Sequence, residues 1–447
     1  MKVGFFEKDV TPPLGSMIIG YFTPRFATGI KEKLYAKSLV IESDGELFSY
    51  TAVDVCSFPP DVLRDIIDGI AKETGIPTDH ILVSATHCHT GTLLLRHAGT
   101  FGENRPGMDT VEYRIGQIID SAVYAWQNRK EAVCRYGYGE NSHFAFVRNF
   151  QMKDGSYITN PPPVNPDIDH AVGEVDPSVH VLYFEDCDGN PMGALTNFAC
   201  HCDIVSGNEF SGDFPAVMAK ELKKEYGFEF VSVYMQGACG NINDSDVTVP
   251  SPDSVQWYQE AGKSLAETVK AAIAESKEMG NTDISAVREE LILKVRTLPE
   301  GLLEDARKTV RDIPASDERV YDFNDYSNPL VRRTYAARLV NIYDNMAKAD
   351  PRGIVTSVQA VKFGDCIFYG VPGELFNQYA FHIKENAPTK RTFIAELSQP
   401  GYANYIAIPL FYESDDVYEG KVSSCWLEAG EGQRIADKAI ELGKTLQ

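Results

Sequence analysis

Two hydrophobic periods alternate along the first half of the chain, and that alternation limits it to an α/β architecture. Leu34–Val40 and Phe48–Val55 have strand composition and flank the turn pair Asp44-Gly45. Pro59–Thr74 then sets Val62, Leu63, Ile66, Ile67 and Ile70 at helical spacing, with Gly75 and Pro77 to stop it. A short apolar strand, Ile81–Ser84, runs into Thr86-His87-Cys88-His89. The Gly-rich stretch Gly91–Gly107 reads as an active-site loop, and Thr110–Gln127 as an amphipathic helix. Residues 150–177, with Asn160-Pro161-Pro162-Pro163, show little periodicity and read as a functional loop or lid. Val179–Phe184 and Met192–Phe198 resume the sheet, Asp213–Tyr226 is a helix capped by Asp213, and Phe228–Met235 is a buried strand.

In the second half the sequence predicts helices over Val255–Glu278 and Leu302–Lys348, the latter broken near Pro314. Ile354–Phe363 and Cys366–Val371 form a hairpin, a helix starts at about Glu374, and Ala429–Leu446 closes the chain. No repeat or linker divides the 447 residues. The expected fold is therefore a mixed β-sheet core flanked by helices, with residues 1–447 as one integrated catalytic domain.

Acidic side chains number 64 against 42 basic ones, a formal net charge of −22. Such a field repels nucleic acid and anionic membrane surfaces, so neither is an expected partner. Spanning a bilayer takes roughly 20 apolar residues, and the sequence has no such run. Charges at Lys2, Glu7, Lys8 and Asp9 interrupt any signal-peptide core, and the nine scattered cysteines fit free thiols, so a cytoplasmic protein is expected.

The chemistry-bearing residues follow strand ends. In an extended chain His87 and His89 alternate to the same side, where they serve either as metal ligands or as ordinary hydrogen-bonded histidines. His201 leaves an apolar strand for a polar loop, and Cys200 and Cys202 beside it read as small buried thiols. Glu374 either complements a helix dipole or completes a His/His/Glu set, and its position alone does not decide. With no CxxC pair in the sequence, a metal here would be catalytic rather than structural.

Six segments in order give the chain a resemblance to the neutral/alkaline ceramidase family, specifically its N-terminal catalytic domain. They are Asp9-Val10-Thr11-Pro12-Pro13 with Gly20-Tyr21, and Ser84-Ala85-Thr86-His87-Cys88-His89-Thr90-Gly91. Next come Phe198-Ala199-Cys200-His201 with Ser211–Pro215, and Gln236-Gly237-Ala238-Cys239-Gly240-Asn241. Pro372-Gly373-Glu374 and Tyr402–Tyr405, ending at Tyr418-Glu419-Gly420, complete the series. The resemblance implies Zn2+ held by His87, His201, Glu374 and Tyr405. It implies His89 as general acid/base, Arg148 and Tyr418 on the scissile carbonyl, and Gly240 and Asn243 at the substrate. The chain departs from the pattern at Asn243, which stands where the family carries serine, and the signal peptide and C-terminal β-sandwich of the family's secreted forms are not expected in it.

The expected function is zinc-dependent hydrolysis of an amide or similar carbonyl bond in a small polar substrate, since a strongly acidic chain is poorly suited to draw ceramide from a bilayer. One alternative is hydrolysis of a lactone or cyclic diketone from sugar or polyol breakdown. The other is a non-catalytic binding protein on the same fold, favoured by Asn243 and opposed by retention of all four ligand positions.

Overall fold

Leu39 and Ile41 of one strand are buried in one hydrophobic cluster, while its Ala36 and Val40 are buried in another. A strand apolar on both faces needs cover on both sides. The computed structural model describes residues 1–447 except 22–24, 93, 97–105, 317, 319, 321–324, 347–349, 351, 402 and 415. Its nine-stranded mixed sheet comprises Lys2–Asp9 (β1), Tyr35–Ser43 (β2), Glu46–Val53 (β3), Ile81–Ala85 (β4), Lys130–Glu140 (β5), Ser178–Asp186 (β6), Pro191–Phe198 (β7), Val231–Gln236 (β8) and Lys277–Glu278 (β9). The spatial order is β8-β7-β6-β5-β1-β2-β3-β4, with β9 on β5. The β3–β4 and β7–β8 pairs are parallel and the others antiparallel.

A second sheet, Ile284–Leu293 (β10), Ile354–Phe363 (β11), Cys366–Gly370 (β12) and Arg391–Ala395 (β13), packs face to face on the first. Phe48, Tyr50 and Phe184 meet Phe363, Phe368 and Phe393 between the sheets, with the Phe48 and Phe368 rings 5.2 Å apart. Helices Pro60–Thr74 (α1), Val111–Gln127 (α2), Asp213–Tyr226 (α3) and Ser254–Ala274 (α4) cover the outer face of the large sheet. Leu302–Asp312 (α5) and Pro329–Asn341 (α6) pack on each other. Asn377–Asn386 (α7) and Glu431–Thr445 (α8) close the outer face of the second sheet. The result is four layers, helix–sheet–sheet–helix, and no described helix is long and apolar enough to cross a membrane.

Several expectations need correction. The predicted hairpin of β11 and β12 is present, but it is part of a four-stranded sheet completed by β10 and β13, which had not been assigned as strands. Helix α4 ends at Ala274, four residues before the predicted end, since Lys277–Glu278 pairs with β5. Residues 150–177 are not structureless: Asn149–Met152 pairs with Tyr157–Thr159 and with Ile168–Ala171 in a small sheet. The proline run lies in the connection between the last two strands, which hid their short alternation. Much of the predicted Gly91–Gly107 loop (93 and 97–105), parts of 317–324 and 347–348 in the predicted Leu302–Lys348 segment, and Tyr402 lie outside the described residues.

Candidate metal centre

The two sheets contain three parallel strand pairs, β3–β4, β7–β8 and β12–β13. Six connections leave their carboxyl ends, the usual position of ligand sites in α/β sheets. Cys56 follows β3, His87 follows β4, His201 follows β7, Gly240 follows β8, Glu374 follows β12 and Glu396 follows β13. Segments 87–89 and 201–203 are then zipped together by a parallel bridge between Cys88 and Cys202 and by the His89 N–H donating to the Cys202 carbonyl at 2.9 Å.

His87 is not in extended backbone, as alternation had predicted. Its φ is +63°, a left-handed conformation that costs a non-glycine residue about 1–3 kcal/mol. His87 and His89 still share one cleft, but because the chain turns at His87, which sets the two rings perpendicular with centroids 4.9 Å apart. Glu374 does not open a helix either. Glu374–Leu375 forms a two-residue parallel pair with Tyr405–Ile406, and α7 begins only at Asn377. The Glu374 N–H donates to the Asn404 carbonyl at 2.7 Å, so a tertiary partner takes the backbone that a helix would have used.

These turns bring three buried donor atoms together. Nε2 of His87 and Nε2 of His201 are 3.0 Å apart, and Oε2 of Glu374 lies 3.3 Å from the first and 3.6 Å from the second. Bonds of about 2.0–2.1 Å at tetrahedral angles would separate neighbouring ligand atoms by about 3.3 Å, so the triangle has the dimensions of a small divalent ion's ligand set. The opposite ring nitrogens are already committed. His87 Nδ1 is 2.7 Å from the Cys56 carbonyl, and His201 Nδ1 is 2.8 Å from the Cys239 carbonyl and 3.0 Å from that of Ile242. Donation to those carbonyls fixes the tautomer that leaves each Nε2 lone pair facing the centre. Glu374 Oε2 is buried without a hydrogen-bond partner among the described residues, which is costly unless a cation completes it.

Electrostatics favour the ligand form at His201 and Glu374, whereas at His87 burial is outweighed by the Cys56 thiol and the Glu374 carboxylate, which hold the imidazole well above its usual range. Burial, with Arg148 and His87 adding to it, holds His201 well below the usual imidazole range, so it is neutral. Burial opposes ionisation of Glu374, but the His87 and His201 rings outweigh it and hold the carboxyl well below its ordinary value.

The remaining expected residues ring this triangle. His89 Nε2 is 3.4 Å from His87 Nε2. Tyr405 is buried opposite Glu374 in the short parallel pair, with its ring centroid 5.7 Å from that of Tyr418. Arg148 lies 5.3 Å from the Tyr405 ring centroid and 5.5 Å from that of Tyr418. Gly240 packs under the centre: its carbonyl accepts from Arg148 Nη2 at 2.6 Å, and a Cβ there would sit 2.4 Å from the Glu374 carbonyl oxygen. Asn243 is more peripheral, 3.5 Å from Arg148 Nη1 and 3.3 Å from Asn160.

Four contributors were missed by sequence reasoning. Cys56 lies with its Sγ 3.8 Å from His87 Nδ1, and Cys56, His87 and His89 form a second group able to hold a metal. Glu419 pairs with Arg148 at 2.7 Å in full burial. Glu396 accepts from the Cys239 and Leu375 N–H groups at 3.1 Å each and ties two of the loops together. Burial pushes its carboxyl up to about 8, so it does this as a neutral acid beside Glu374. Asp203 reaches His89. Only Glu419 stood inside a recognised motif, as the middle residue of Tyr418-Glu419-Gly420. Asp54, just past the end of β3, is a structural acceptor for the Tyr35 N–H and the Thr86 hydroxyl. Asp213 accepts from the Phe214 and Val205 N–H groups, pinning a loop as well as the start of α3.

A cavity of about 150 Å³ opens beside Glu374, lined by Ile19, Phe58, Leu63, Leu95, Leu397 and Trp426 among others.

The family described as neutral/alkaline non-lysosomal ceramidase, N-terminal, matches residues 1–249. Neutral ceramidase A of Dictyostelium discoideum is 27% identical over 233 residues, 47% of this chain and 30% of that protein. Neutral ceramidase B of the same organism is 26% identical over 232 residues, with the same 47% and 30% coverage. The alignment thus spans less than a third of either relative. Among solved structures, the neutral ceramidase from Pseudomonas aeruginosa superposes with a TM-score of 0.72 at 16% identity, over 100% of this chain and 74% of that one. A ceramidase complexed with C2 gives 0.73 at 16% identity, over 100% and 75%. At that identity the likeness is one of fold.

Proposed function

The chain belongs to the neutral/alkaline non-lysosomal ceramidase family, and from that footing we propose that it is a zinc-dependent hydrolase of an N-acyl amide. The observation that carries the reading is the buried triangle of His87, His201 and Glu374, whose edges of 3.0, 3.3 and 3.6 Å suit one small ion. Tyr405, beside Glu374, is the proposed fourth ligand. A zinc ion in this set would bring a bound water's pKa to about 7 and polarise a carbonyl.

The protein's own groups take the remaining roles. His89 receives the attacking water's proton at Nε2 and returns it to the departing nitrogen. Arg148 and Tyr418 face the position where charge builds on the carbonyl oxygen. Arg148 stays cationic there because Tyr418, Glu419 and Tyr405 together outweigh the burial that opposes its charge. Strands from both sheets supply the ligand set, which supports residues 1–447 acting as one catalytic unit.

The cavity changes the expected substrate. Its apolar lining beside Glu374 favours an acyl group, while Arg148, Asn160 and Asn243 favour a polar head, so an amphipathic amide fits better than a wholly polar molecule. The test is elemental analysis of purified wild type, His201→Ala and Glu374→Ala, followed by a panel of N-acyl amides, lactones and cyclic diketones. About one zinc per chain in wild type, lost in both variants, with turnover of the amides, is the expected result. Wild type that retains no zinc after loading would overturn the mechanism, and turnover confined to lactones or diketones would move the substrate class.

A further inference from the structure

His89 is gripped by residues outside the triangle of His87, His201 and Glu374, namely Asp203, Tyr21, Arg25 and Gly20. The His89 Nδ1 is buried with no hydrogen-bond partner among the described residues, and Asp203 Oδ2 lies 3.5 Å away. That separation is set by the main chain, because the Cys88–Cys202 bridge and the His89 N–H to Cys202 carbonyl bond lock the two segments together. Asp203 is seated from the far side: the Tyr21 hydroxyl donates to its Oδ1 at 2.6 Å. The Tyr21 ring stands edge-on to His89 with centroids 5.8 Å apart, and the Arg25 guanidinium lies 3.9 Å above that same ring. Arg25 also donates to the His89 carbonyl. Gly20 completes the seat, since at its φ of +123° a Cβ would come within 2.9 Å of the His89 Cα, Cβ and Cγ.

We propose that Asp203, held by Tyr21, is a positioning residue that takes the Nδ1–H of His89 and so fixes the ring in the tautomer whose Nε2 lone pair faces the candidate metal centre. A neutral imidazole carries a single N–H. With no acceptor at Nδ1 the proton is free to sit on Nε2, 3.4 Å from His87 Nε2, where it would face the ligand set and leave nothing to receive a proton from water. The inference rests on the hydrolase reading for its catalytic consequence. In that reaction a water proton passes to Nε2 as the water oxygen bonds the carbonyl carbon, the C–N bond breaks, and the same proton passes to the amine nitrogen. Asp203, as the acceptor at Nδ1, steadies the imidazolium between the two transfers.

The experiment uses Asp203→Asn, Asp203→Glu and Tyr21→Phe. Each is measured for metal content, for kcat and KM on an amide that wild type turns over, and for the His89 ring by long-range ¹H–¹⁵N NMR. The His89 signals are assigned by their loss in His89→Gln. Wild type is expected to show the Nδ1–H form. Asp203→Asn should keep its metal and its KM, lose about 10²- to 10⁴-fold in kcat and shift His89 toward Nε2–H. Asp203→Glu should recover part of kcat, and it serves if the Asn variant fails to fold. Tyr21→Phe should lose about tenfold. An unchanged His89 ring signal in Asp203→Asn overturns the proposal, whatever the activity. A wild type without zinc or turnover strikes the hydrolase reading instead, and the ring signal still decides whether Asp203 sets the tautomer.

Discussion

Arg148 and Glu419 are both enclosed, at 3% and 0% side-chain exposure, so neither charge has water to fall back on. Glu419 also accepts from the Thr159 hydroxyl at 2.5 Å and from Asn149 at 3.3 Å, and Arg148 donates to the Gly240 carbonyl. Removing one partner strands a buried charge, at a typical cost of about 3–5 kcal/mol. Arg148→Met should therefore lower unfolding stability by about that amount in urea titrations, and Arg148→Met with Glu419→Gln should recover much of it. Equal stability of single and double variants would show that the pair is not coupled. Gly240 makes a sharper case. A methyl group there meets the Glu374 carbonyl oxygen at 2.4 Å, so Gly240→Ala should push Glu374 off the triangle. We expect a folded protein by circular dichroism that has lost its metal, whereas a fully loaded Gly240→Ala would mean the loop can give way without moving Glu374.

Among the elements, the strand ends and two-residue pairings do the positioning, and long elements carry the stability. β6 shows the second role. His180 on β6 is 3% exposed, hydrogen-bonds the Tyr136 hydroxyl through Nδ1 at 2.9 Å and packs 5.2 Å from the Phe393 ring. Burial, helped by Lys384, pushes its pKa down to about 3 from the ordinary 6.5. The unfolded chain therefore binds a proton below pH 6.5 that the native strand refuses until about pH 3. Stability from this group is complete above pH 6.5 and falls with decreasing pH. At up to 1.36 kcal/mol per pH unit the loss between pH 6.5 and 4.5 is roughly 2 kcal/mol. Denaturant titrations at the two pH values should show that slope in wild type and a shallower one in His180→Gln. Parallel slopes would place the acid sensitivity elsewhere.

At the scale of the molecule, the candidate ligand triangle of His87, His201 and Glu374 exists because two sheets are stacked. The large sheet delivers His87 and His201, and the smaller one delivers Glu374 and Glu396. Phe368 is central to the seam, fully buried and with its ring 4.6 Å from that of Phe393 and 5.2 Å from that of Phe48. Phe368→Ala should cost about 3–5 kcal/mol of stability. Because the seam sets the distance from Glu374 to the histidines, the variant should also hold its metal less tightly under chelator challenge. A destabilised variant with wild-type metal retention would show that the loops, tied by Glu396, keep the triangle without the seam.

The sequence by itself determined the periodic elements and the residue chemistry. The apolar run of β2 and the helical spacing of α1 follow from local side-chain character, and His87, His201 and Glu374 were legible as candidates because each follows an apolar segment within a recognisable motif. What it could not determine was set by contacts distant in the chain. His87 adopts a left-handed backbone, and Glu374 enters a parallel pair with Tyr405 instead of a helix, because tertiary hydrogen bonds replace the local ones that propensity counts. Residues 284–293 and 130–140 gain their strand identity from neighbours in the two sheets. Asp203, Glu396 and Glu419 acquire their roles only through partners 114, 157 and 271 positions away, at His89, Cys239 and Arg148. A carboxylate's partner is a matter of distance in space, and only the folded chain fixes that distance.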